Sequence, residues 1–106
     1  MKKLFFLIAF FITVVAFAQD KQKRDLKLNT DTNLIEVVYY HDNGEVSQTG
    51  YYTLDGKLQG EWLSFNEKGE KTVSANYDNG KKVGKWIYWI DGEKKVVNYT
   101  DNVASL

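Results

Sequence analysis

The sequence predicts an all-β fold: a single-layer antiparallel β meander of stacked hairpins, with about six strands. Three observations predict it. The turn signals "HDNG" (41–44), "LDG" (54–56), "NEKG" (66–69), "YDNG" (77–80) and "IDG" (90–92) recur at short, even spacing, and Asn-Gly and Asp-Gly pairs suit tight hairpins because they tolerate positive φ. The runs between them are short, β-branched and aromatic, and from Leu34 onward no 12-residue stretch has a helical period. Finally, "GKLQGEWLSF" (56–65) returns as "GKKVGKWIYW" (80–89). Gly56, Lys57, Gly60 and Trp62 recur 24 positions later as Gly80, Lys81, Gly84 and Trp86, and a period in this range marks a repeated supersecondary unit.

The elements follow in chain order. Residues 1–18 read as a secretory signal peptide. Lys2 and Lys3 give a basic start, Leu4 to Phe17 is apolar except for Thr13, and Ala16-Phe17-Ala18 fits a cleavage site before Gln19. The rival reading is a membrane anchor, but the apolar run is shorter than the roughly 20 residues that span a bilayer. Cysteine is absent, which excludes a lipid-modified cysteine, disulfides and thiolate zinc sites. The expected mature chain, 19–106, is exported to the periplasm, cell surface or medium, and meets the membrane only during export. Residues 19–33, "QDKQKRDLKLNTDTN", are polar without an apolar period and read as a flexible lead, with room for a turn of helix near Arg24 to Leu28. The repeat domain spans 34–102, with strands expected at 34–41, 45–53, 60–66, 70–77, 84–90 and 93–99. Residues 103–106 are a short tail.

Charge narrows the function. The whole chain has 14 basic and 14 acidic residues, and loss of Lys2 and Lys3 leaves 12 against 14, a net charge of −2. A nucleic-acid binder needs a basic surplus to neutralise phosphates, so none is expected as partner. The motif residues have structural readings. Gly56 and Gly80 close turns with positive φ. Gly60 and Gly84 begin strands where hairpins pass close together. Trp62 and Trp86 stand at matching positions on successive units and line up on one face. Trp62 and Ser64 share a face, with Leu63 and Phe65 opposite; Trp86 and Tyr88 match the first pair, Ile87 and Trp89 the second. Tyr39 and Tyr40 likewise fall on opposite faces. A single layer with aromatics on both faces wants cover. It can curl and seal its own groove by stacking aromatics, self-associate, or hold a ligand along an aromatic ridge. The partner-binding candidates are Tyr39, Trp62, Trp86 and Tyr88.

No pattern carries chemistry. His41, the sole histidine, lies at a hairpin tip beside Asp42 and reads as a solvated turn residue. No serine lies in a Gly-x-Ser-x-Gly elbow and no phosphate loop is present. The acids cluster at turns. No catalytic residue, cofactor or metal is expected.

The stretches "YYHDNGE", "DGKLQGEWLSFNEKGE" and "YDNGKKVGKWIYWIDGE" resemble MORN (membrane occupation and recognition nexus) repeats. They resemble more closely the bacterial MORN-variant proteins, some of which are catalogued as antitoxin-like. The resemblance covers about 39–101. It implies an elongated sheet of stacked hairpins and no single activity; MORN repeats are linked to protein assembly and, for some, to lipid contact. Three functions follow as expectations. The first is an exported, non-catalytic interaction module that binds a protein, or a glycan, through an aromatic sheet face. The alternative is an antitoxin-like or immunity protein with one cognate partner. The last is a small glycan hydrolase, which needs two carboxylates about 5 to 9.5 Å apart among Glu61, Glu67, Glu70 and Glu93.

Overall fold

The computed structural model describes residues 22–105. The expected signal peptide, its cleavage point at Ala18–Gln19, the start of the lead and Leu106 lie outside the described residues. The described chain is all-β, with strands β1 (Arg24–Asn29), β2 (Leu34–Tyr40), β3 (Val46–Thr53), β4 (Leu58–Phe65), β5 (Lys71–Asp78), β6 (Lys81–Lys82), β7 (Gly84–Ile90), β8 (Glu93–Thr100) and β9 (Val103–Ser105). They form one antiparallel sheet in the order β1-β2-β3-β4-β5-β7-β8-β9, with β6 paired to β5. Among the described residues, every connection between strands is a hairpin except the one at Val83, which joins β6 to β7 along the same side of β5.

Nine strands replace the expected six for three local reasons. The lead contributes β1, whose alternation of Leu26 and Leu28 with Asp25, Lys27 and Asn29 matches a strand and not a helical turn. The tail contributes β9. Finally, β6 and β7 are one strand interrupted at Val83.

That interruption explains the Gly-Lys-x-x-Gly-x-Trp motif. Leu58 and Gln59 pair with Tyr52 and Tyr51, but after a two-residue slip Leu63 pairs with Thr49. The second unit repeats the slip: Lys81 and Lys82 pair with Asp78 and Tyr77, and Ile87 with Ser74. Gly60 (φ 72°) and Gly84 (φ 68°) sit within these slips in the left-handed region, which costs a residue with a Cβ about 1–2 kcal/mol. The close approach expected at these glycines is absent. A Cβ at Gly60 would meet Tyr51 at 3.5 Å and one at Gly84 would meet Asn76 at 3.8 Å, both ordinary contacts. Backbone conformation, not space, requires glycine there.

Two turn types set the repeat length. At 41–45, 53–57 and 66–70 the first residue's N–H donates to the carbonyl four residues on, and the glycine N–H donates back to the first carbonyl. These are three-residue loops with a left-handed glycine in the bulge position. At Asn79-Gly80, Asp91-Gly92 and Asp101-Asn102 both residues have positive φ, as in two-residue type I′ turns. The shorter turns compress the later unit, so Tyr52 and Tyr77 are 25 positions apart but Tyr77 and Tyr99 only 22.

Successive units are joined at both ends of the strands. At one end the Gly80 N–H donates to the Leu58 carbonyl (2.9 Å), and Asn102, standing where Gly80 stood, donates to Lys82 (2.9 Å). At the other end, the His41 ring Nε2 lies 2.8 Å from the Phe65 carbonyl oxygen and the Asn43 amide donates to Glu67 (3.1 Å). His41 is therefore a half-buried bridge between turns and not the solvated tip residue its sequence suggested.

Candidate functional site

The buried hydrophobic residues of the described chain are Val37, Trp62, Ala75 and Trp86. All lie on one face of the sheet, since Val37 pairs with Gly50 and Trp62 with Ala75. A single layer has no second sheet to cover it, so burial must come from side chains lying along the sheet. The tryptophans do this. The Trp62 indole N–H donates to the Tyr51 carbonyl (3.1 Å), and the Trp86 indole N–H donates to the Asn76 carbonyl (3.0 Å). Each ring thus reaches back over the preceding strand and satisfies its own donor there. Gly50 makes room for the first: a Cβ at that position would collide with the Trp62 ring.

Tyrosines flank the rings. Tyr52 lies edge-on to Trp62 (5.1 Å between centroids), Tyr77 bridges Trp62 (6.5 Å) and Trp86 (5.2 Å), and Trp86 meets Tyr88 (6.2 Å) and Tyr99 (5.1 Å). Tyr39 extends the row, its hydroxyl 2.8 Å from that of Tyr52. Lys82 closes the far end, its ammonium 5.0 Å from the Trp86 centroid and 5.2 Å from that of Tyr99, a cation–π arrangement. The result is one aromatic ladder from β2 to β8.

The ladder divides the four binding candidates. Trp62 and Trp86 are 3% and 5% exposed, so they form the floor and cannot serve as an exposed ridge. Tyr39 and Tyr88 are half-buried and packed against that floor, as are Tyr52, Tyr77 and Tyr99. Burial pushes the Tyr52 phenol up to about 12, and the hydrogen bond with Tyr39 adds to it. Burial also raises Tyr77 and Tyr88. Their hydroxyls therefore stay protonated at neutral pH and can both donate and accept. Motif residues Lys57 and Lys81 sit outside the ladder, exposed and loosely paired with Asp55 (3.7 Å) and Asp101 (3.5 Å).

No family model matches the chain, and neither a curated protein nor a solved structure matches it at a significant level.

Val37, Gly50, Tyr52, Tyr77 and Tyr99 were not among the site residues expected from the sequence. A signal for the first existed: aligning "YYHDNGE" with "SFNEKGE" places Val37 where Trp62 stands, 25 residues later. The tyrosines also had one, since Tyr52, Tyr77 and Tyr99 each precede a turn that opens the next strand. Gly50 had none, because only the indole's lie reveals the need for it. Of the acids named for hydrolysis, Glu61 lies within β4, Glu67 and Glu70 share the 66–70 turn, and Glu93 opens β8 opposite Ile90. Glu61 and Glu36 border an open depression of about 220 Å³ beside Thr49 and Leu63, which the other three do not line.

Proposed function

We propose that this chain is an exported, non-catalytic MORN-like repeat module that binds another protein through the tyrosine row of its aromatic face. The observation that carries this reading is the ladder. A floor of two buried tryptophans holds five half-buried tyrosines on one side of a single layer. Tyrosine offers a large amphipathic contact at low entropic cost and is favoured in interfaces. The floor supplies rigidity, and the hydroxyls and ring edges supply contact. The MORN likeness of the repeated Gly-Lys-x-x-Gly-x-Trp units and the signal-like first 18 residues support an assembly role outside the cytoplasm. A cognate toxin, as in the antitoxin-like variants, would be one form of such a partner.

Affinity capture from cell-envelope extract tests the reading, with the Tyr39→Ala/Tyr88→Ala variant beside the parent. A protein held by the parent and lost by the folded variant is the expected result. Equal retention by both would remove the tyrosine row from binding. Retention of a polysaccharide in place of a protein would move the partner class to glycans.

A further inference from the structure

Among the described residues, strand β1 is an edge of the sheet, bonded to β2 alone. The Tyr40 N–H donates to the Lys23 carbonyl (3.0 Å) and the Asn33 N–H to the Asn29 carbonyl (2.8 Å), so residues 23 and 29 turn their backbone groups toward β2. Backbone groups alternate along an antiparallel strand. Arg24, Leu26 and Leu28 therefore turn their N–H and C=O groups outward. Leu26 and Leu28 also leave half their surface uncovered, at 52% and 53% exposure. They sit on the tryptophan-bearing face, because Leu26 pairs with Val37. An edge with unpaired amides and exposed leucines is a template for another strand.

The sequence of β1 selects that strand. An antiparallel copy centred on Leu26 aligns Leu26 with Leu26, Arg24 with Leu28, and Asp25 with Lys27 twice over. Its hydrogen-bonded pairs are Leu26–Leu26 and Arg24–Leu28, the residues whose backbone groups point outward. Its non-hydrogen-bonded pairs, where side chains approach more closely, are the two Asp25–Lys27 pairs on the opposite face. A register one step along, centred on Lys27, would set Lys27 against Lys27. Tyr40 donates a hydrogen bond to one Asp25 oxygen (2.7 Å), and a carboxylate can accept at both. The other edge, β9, has three residues, a length that protects an edge from pairing.

We propose that the protein forms a two-fold dimer by antiparallel pairing of β1 with β1 of a second copy, centred on Leu26. The two sheets join into one, and the leucines extend the apolar face across the two-fold axis. The β1 edge adjoins the tyrosine row, because Arg24 pairs with Tyr39, but Asp25 and Lys27 lie on the opposite face, so changing them tests the dimer without altering the row.

Sedimentation of the mature protein recovered after export, with Asp25→Lys and Lys27→Asp variants checked for fold by circular dichroism, tests it. The parent is expected to show a concentration-dependent dimer. Each variant alone sets like charges opposite each other twice, and its dimer should weaken by at least about tenfold. An equimolar mixture of the two variants restores both opposite-charge pairs and should recover the dimer. A parent that stays monomeric up to its solubility limit would overturn the proposal. So would single variants that dimerise as well as the parent, or a mixture no better than its components.

Discussion

Trp62 and Gly50 form the smallest unit on which the fold depends. The indole can lie flat on β3 because residue 50 has no side chain, and it remains there because Tyr51 accepts its N–H. Truncating Trp62 to alanine removes the largest part of the floor and should cost about 3–5 kcal/mol by urea unfolding, enough to unfold a small domain. Gly50→Ala places a methyl inside the ring and should cost about 1–3 kcal/mol through overpacking. The matching position in the next unit is Ala75, so that unit already accommodates a methyl beside its tryptophan. Ala75→Gly should cost about 1–2 kcal/mol, from chain entropy and from loss of a buried methyl. Tyr52 gives a pH prediction. It holds its proton to about pH 12 in the folded chain, whereas an unfolded tyrosine loses it near pH 10. The folded state then binds more protons than the unfolded state across that interval, so stability falls as pH rises through it and is fully present below about 10. The urea midpoint should decline above about pH 10, and Tyr52→Phe should decline less steeply.

At the scale of the element, the Gly-Lys-x-x-Gly-x-Trp segment pairs briefly with the preceding strand, slips by two residues at a left-handed glycine, and then sends its tryptophan back over that strand. Gly60→Ala and Gly84→Ala should each cost about 1–2 kcal/mol, measurable by thermal or urea unfolding, with both indoles remaining buried by their fluorescence maximum. The hairpins themselves were legible in the sequence. Asn-Gly and Asp-Gly turns bounded the strands from Leu34 to Tyr99 within two residues of where they lie, because turn chemistry is local. Strand β1 was obscured because an edge strand of one layer needs only Leu26 and Leu28 on a single face, and its remaining residues read as a polar tether. The exposure of Trp62 and Trp86 was not legible at all. Period-two alternation gives the face of a side chain but not whether it stands up from the sheet or lies along it, and that choice depends on Gly50 and Tyr51, more than ten residues away. Space between hairpins was the wrong reason for Gly60 and Gly84, since spacing alone does not separate a close approach from a positive φ.

At the scale of the whole molecule, the nine strands of the described residues make a single layer whose core lies on one face. The ladder crosses every unit boundary: Tyr52 to Trp62, Trp62 to Tyr77, Tyr77 to Trp86. The links at Gly80–Leu58 and His41–Phe65 tie the same units at their ends. Repeat arrays owe much of their stability to such nearest-neighbour interfaces, so loss of Trp62 should destabilise both adjoining units together and give one shifted unfolding transition in place of two. Under the proposed function the two aromatic types have separate tasks: tryptophans hold the layer and tyrosines meet the partner. The most direct test is the binding of a protein captured from the cell envelope, titrated against folded Tyr39→Ala/Tyr88→Ala and parent proteins whose stabilities are measured in parallel. The tyrosine variant is expected to remain folded at neutral pH and to lose affinity by at least about tenfold, as loss of interface aromatics commonly does. Unchanged affinity in that folded variant would contradict it, and would leave the aromatic face as packing alone.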